Sequence, residues 1–142
     1  MDREMVSRWL DSYVAAWKSY DPEAIGDLFT EDARYFYDPF NRPVVGREAI
    51  VAAWLAEPDE PGTYDAVYEP VLVEGNRAMS VGRTVYYEDD GVTVNTEWSN
   101  VFLLTFDEDG RCSQYQEWYF EKPDKLDHEK QDEEAEDDEE GD

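Results

Sequence analysis

Asp38 stands at the end of the aromatic run "RYFYDPF", with Pro39 directly behind it. A carboxylate at the mouth of so apolar a segment reads in two ways. It can be a turn residue that bonds its own backbone, or a general base at the rim of a pocket. Tyr13 interrupts the apolar stripe of "WLDSYVAAW", where its hydroxyl can donate to a ligand or satisfy itself inside the core. Arg83 and Asn100 fall in the middle of strand-like runs. In "RCSQYQEWYFE" two registers compete: Tyr115, Glu117 and Tyr119 share one face, and Gln114, Gln116, Trp118 and Phe120 the other. With the first face inward, Glu117 is a second candidate base. An apolar pocket would raise its pKa by desolvation, and a cation such as Arg83 would lower it. Arg83 and Glu117 can equally form a structural ion pair.

The elements that must position these groups follow from periodicity. Val6, Trp9, Leu10, Tyr13, Val14 and Trp17 recur at helical spacing, which predicts an amphipathic helix of about four turns. Asp21 and Pro22 are the N-cap and first residue of a second, shorter helix that buries Ile25, Leu28 and Phe29. "TEDARYFY" reads as a strand. "GREAIVAAWLAE" reads as a third helix with Ile50, Val51, Trp54 and Leu55 inward. From Thr63 onward the texture is all strand: four runs separated by "EGN", "EDDG" and "DEDG", hence an antiparallel meander. In "VTVNTEWSNVFLLTF", Trp98, Phe102 and Leu104 share a face with Thr96 and Asn100. In "RAMSVGRTVYY", Met79, Val81, Val85 and Tyr87 share a face with Arg83 among them, and this face is expected inward. Helices first and strands afterward predict an α+β domain with its helices on one face of a curved sheet.

Composition limits the function. The 142 residues fit one domain, and 41% hydrophobic residues suffice for a core. A net charge of −25 leaves no phosphate-neutralising surface, so neither nucleic acid nor an anionic membrane is an expected partner. Residues 124–142 carry 12 of the 37 acidic side chains and a single large apolar residue, Leu126. That stretch cannot bury enough surface to offset chain entropy and is expected to be a disordered acidic tail, leaving 1–123 as the domain. Cys112 is the only cysteine and His128 the only histidine, so no metal site and no cofactor is expected. "MDREMVSRWL" has no apolar run of signal-peptide length, and the expected location is the cytoplasm.

The segments "YVAAWKSYDPEAIGDLFTEDARYFYDPF", "PVVGREAI" and "FDEDGRCSQYQEWY" resemble those of the cone-shaped fold shared by nuclear transport factor 2, ketosteroid isomerase and the SnoaL-like polyketide cyclases. The resemblance covers roughly residues 5–121 and is similar in texture to small bacterial SnoaL-like proteins. It implies an NTF2-like cone, with three N-terminal helices packed on the concave face of a curved, mostly antiparallel sheet. It places Tyr13 where the isomerase has its helix-1 tyrosine, and Asp38-Pro39 where it has its general base, with one extra residue between "EDA" and "DP". The place of the isomerase's second oxyanion-hole acid falls on Phe102, two residues after Asn100. The resemblance favours Glu117 inward. The implied catalytic set is Asp38, Tyr13 and Glu117, with Trp17, Trp54, Arg83, Trp98, Asn100 and Phe102 around the ligand. Because this fold hosts many activities, two classes compete. The leading one is a pocket domain that binds a small apolar molecule. The alternative is a cofactor-free isomerase, cyclase or hydrolase using Asp38 or Glu117 as base and Tyr13 as donor. A protein-interaction adaptor is a third. The resemblance also implies a homodimer paired through the outer face of the sheet.

Overall fold

The structure, a computed structural model, describes residues 1–124; the expected acidic tail lies, but for its first residue, outside the described residues. Helix α1 (Arg3–Ser19) forms on the apolar stripe, with the Asp2 carboxylate capping the Met5 N–H at 2.9 Å. Val6, Trp9, Leu10, Tyr13 and Ala16 are buried along it. It ends at Tyr20, whose backbone turns left-handed at φ 50° so that its N–H closes on the Ala16 carbonyl. Helix α2 (Pro22–Gly26) starts at its Asp21 cap. Helix α3 (Arg47–Ala56) is tied to the strand before it by the Arg47 guanidinium, which donates to the Phe29 carbonyl at 3.0 and 2.9 Å. Of its expected inward residues, Ile50 and Trp54 are buried and Val51 is half-buried. Leu55 is exposed, because only a narrow stripe of α3 meets the core.

Strands β1 (Phe29–Phe36), β2 (Val44–Val45), β3 (Tyr64–Glu74), β4 (Arg77–Tyr87), β5 (Val94–Phe106) and β6 (Cys112–Glu121) make one six-stranded sheet in the order β2-β1-β6-β5-β4-β3. β3 to β6 are the expected antiparallel meander, and β1 joins β6 in parallel. The two-residue β2 had no signal of its own. Bulges, one of them between Pro70 and Leu72, bend the sheet into a cone around α1. Its narrow end is filled by Trp9 packed edge-on against Phe29 and Phe106.

Cross-strand register decides which side chains look inward. Tyr68, Gly82, Asn100 and Tyr119 lie in one row, and Pro70, Ser80, Phe102 and Glu117 in the next. These rows face the helices. The alternate row, Val67, Arg83, Ser99 and Phe120, faces away. The expected phase of β4 is therefore corrected. Its inward residues are Ala78, Ser80, Gly82 and Thr84, a small and polar set that imitates a solvated face. They are small because large rings from β3 and β5 occupy the space above them. At Gly82 a Cβ would overlap the Tyr68 ring and the Val67 carbonyl.

Candidate functional site

The wide end of the cone holds a cavity of about 900 Å³, within the usual size of small-molecule sites. Tyr13 and Trp17 of α1, Trp54 of α3, Tyr35 of β1, Tyr37 just after it, and Trp98, Asn100, Glu117 and Tyr119 of the sheet border it. Tyr13 meets Trp54 edge-on at 5.2 Å and stacks parallel to Tyr115 at 5.7 Å. Such aromatic pairs hold the wall in one arrangement.

Glu117 is the polar centre of this wall. Seen from outside it is only half-buried, since the cavity opens to water. Its carboxyl group, however, is enclosed by side chains. Tyr115 donates to Oε1 at 2.6 Å, and Asn100 Nδ2 donates to Oε2 at 3.2 Å. Each bond has a chain behind it. Thr84 donates to the Asn100 carbonyl oxygen at 2.9 Å, so its own oxygen accepts the Tyr68 proton at 2.7 Å. Tyr115 spends its proton on Glu117, so it accepts from Tyr13 at 3.2 Å, and Tyr13 in turn accepts from Tyr35 at 2.9 Å. A hydroxyl has one proton to give, and this fixes the direction of both chains. All donors point toward Glu117.

Desolvation nonetheless outweighs these donors and raises the Glu117 pKa from 4.5 to about 7. Burial and the neighbouring Glu117 charge push Tyr13 and Tyr115 well above the ordinary tyrosine range, so both stay protonated. Glu117 can therefore gain and lose a proton near neutrality. Each of its oxygens keeps a lone pair beyond the bond it accepts.

The other expected residues divide. Trp17, Trp54, Trp98 and Asn100 border the cavity. Tyr13 borders it too, but its proton is committed to Tyr115 within the chain. Phe102 lies behind the wall, almost wholly buried against Tyr68 and Tyr115. Arg83 is on the outer face, paired with Glu97 at 2.7 Å, and shares nothing with Glu117. Asp38 is outside the cavity. Its Oδ1 accepts the Phe40 and Asn41 N–H groups at 2.7 and 2.8 Å, and its Oδ2 accepts Asn41 Nδ2 at 2.8 Å. The Asn41 amide, with these backbone donors, holds its pKa below the ordinary range. Tyr35 and Tyr37 take the inward phase, so the next residue turns out.

Several participants carried no clear sequence signal. Tyr35 and Tyr115 are in phase with residues that were singled out, but nothing in the pattern pairs them. Asp59, in the loop after α3, accepts Trp17 Nε1 at 3.0 Å and the Tyr20 hydroxyl at 3.3 Å. This fixes the rim, and only the fold brings the three together.

The SnoaL-like domain family model matches residues 10–115, most of the described chain. The chain belongs to the SnoaL-like family. No curated protein sequence matches it. Solved structures resemble this SnoaL-like domain in fold alone. An NTF-2 like protein of unknown function from Burkholderia xenovorans LB400 aligns with TM-score 0.65 at 16% identity, covering 90% of this chain and 92% of that one. A putative ketosteroid isomerase from Kribbella flavida DSM 17836 aligns with TM-score 0.62 at 18% identity, covering 89% and 88%. A protein from Catenulispora acidiphila aligns with TM-score 0.63 at 20% identity, covering 82% and 89%. The NTF2-like cone of the SnoaL-like family is thus the architecture of this chain.

Proposed function

We propose that the cavity binds a small, largely apolar molecule and that Glu117 exchanges a proton with it, in a cofactor-free isomerase-, cyclase- or hydrolase-type reaction. The observation that supports this is one carboxyl group on the wall of an aromatic cavity with a pKa of about 7. A group titrating near the working pH is best placed for general acid–base catalysis. Tyr115 and Asn100 orient it, and Tyr13 and Thr84 support them. Asp38 has no part in this reading, because its carboxylate is engaged in its own turn.

A carbon acid makes the test independent of the natural substrate. Deuterium incorporation next to the carbonyl of a panel of cyclic ketones is followed by NMR in D₂O. Wild type is expected to accelerate exchange. Glu117→Gln should lower the rate by roughly 10²–10⁴, and Asp38→Asn should leave it unchanged. A Glu117→Gln variant as fast as wild type removes Glu117 as the base. A second reading, binding without turnover, is favoured by the engagement of both Glu117 oxygens by protein donors. Saturable ketone binding with no exchange would select it.

A further inference from the structure

The charge of the cavity wall points to a ligand class narrower than "apolar". Glu57, Asp59 and Glu117 border the cavity, and among the described residues no lysine, arginine or histidine does. The ion pairs among the described residues, Arg8–Glu4, Lys18–Asp65 and Arg83–Glu97, use none of these three carboxylates. The rest of the wall is mostly rings, among them Trp17, Tyr20, Tyr37, Trp54, Tyr86 and Trp98. An aromatic face carries negative electrostatic potential, and a desolvated cation over a tryptophan is held more strongly than over any other ring.

We propose that this cavity takes an organic cation, an amine or quaternary ammonium carried on an apolar body. An anion would meet acidic side chains and, among the described residues, no counter-charge. A neutral body would use the rings but gain nothing from the acidic groups beside them. A cation uses both. The rim is built in the same sense. The Trp17 indole N–H donates to the Asp59 carboxylate at 3.0 Å. A donor bonded to an anion is polarised, which makes the ring face richer in electrons. The Tyr20 hydroxyl accepts the Asp59 backbone N–H at 2.8 Å and so holds the carboxylate beside the indole. Trp98 packs edge-on against Tyr119 at 5.6 Å, which gives a second aromatic corner. Tyr119 in turn lies opposite Asn100, the residue that donates to Glu117. The chain's net charge of −25 draws cations toward it from a distance. The inference rests on reading the cavity as a ligand site and is independent of whether Glu117 moves a proton.

The test uses the full chain and three probes on one phenylpropyl skeleton: the trimethylammonium, the alcohol and the carboxylate. Each is titrated calorimetrically in 0.15 M salt, and the cation again in 0.5 M salt to separate the site from diffuse attraction to the acidic surface. The cation is expected to saturate with an affinity at least about tenfold above that of the alcohol, and the carboxylate is expected not to saturate. Trp98→Leu keeps an apolar wall without the ring. It should weaken the cation about tenfold and change the alcohol little. If the alcohol binds as well as the cation, or Trp98→Leu weakens both equally, the cation assignment falls and the ligand pocket stands. Loss of the cation's saturation in 0.5 M salt overturns the assignment as well. If no probe saturates at all, the pocket reading falls with it.

Discussion

Ionising Glu117 runs against the preference of its surroundings, and this makes a pH signature. Its folded pKa, about 7, lies above the ordinary 4.5. Between those values the folded chain holds a proton that the unfolded chain has released. The stability this contributes is fully present below about pH 4.5 and is lost as pH rises through 7. A shift of that size amounts to at most about 3 kcal/mol, since water reaches the cavity mouth. Glutamine cannot ionise, so Glu117→Gln should become more stable relative to wild type between pH 4.5 and 8, by up to about that amount. Its amide also places a donor against Tyr115 or Asn100, a cost that does not vary with pH. The informative quantity is therefore the change in the difference between the two proteins, from urea melts at both pH values. A difference that stays flat with pH would mean that Glu117 is ionised as easily as in water.

At the scale of elements, the site depends on how β3 lies on β4. The Tyr68 ring rests on Gly82, and this lets its hydroxyl reach Thr84 and complete the chain to Asn100 and Glu117. A methyl group at Gly82 would overlap both the ring and the Val67 carbonyl, so the two strands would have to separate. Overpacking of this kind costs about 1–3 kcal/mol, and here it also cuts one arm of the network. Gly82→Ala is expected to lose about that much stability, to melt at a lower temperature and to weaken ligand binding. The check is the same variant's thermal melt beside a Tyr68→Phe melt. If Gly82→Ala melts like wild type, the ring does not rest where the structure places it. Asp38 teaches the converse. Its turn is self-contained, so the site is indifferent to it although the sequence around it is among the most distinctive.

At the scale of the whole molecule, no helix among the described residues covers one face of the sheet. Val67 and Phe120 are strongly exposed there, and Val81, Val101, Leu103 and Trp118 are half-buried around the Arg83–Glu97 pair. An apolar centre with a charged rim suits self-pairing about a two-fold axis. The expectation is a homodimer through this face, with light scattering giving about twice the 16.6 kDa chain mass and Val101→Asp shifting it to monomer. A single species at the chain mass, at concentrations where weak dimers form, would leave the face unpartnered. Among the described residues no helix is long and apolar enough to cross a membrane.

The order of helices and strands, the Asp2 and Asp21 starts and the meander were legible from sequence, because each is set by local periodicity and capping chemistry. So was the inward face of β6, given the resemblance to a known family. The phase of β4 was not, since small polar residues on a strand look solvated until the rings above them are seen. Nor was the fate of Asp38, because the phase in which Tyr35 and Tyr37 face the cavity is fixed only where β1 pairs with β6. The candidate base illustrates the division. That Glu117 could face inward is a property of alternation along one strand. That it would be desolvated, and met by two chains of donors from Tyr35 and Tyr68, depends on side chains far apart in sequence and brought within hydrogen-bond reach by tertiary packing alone.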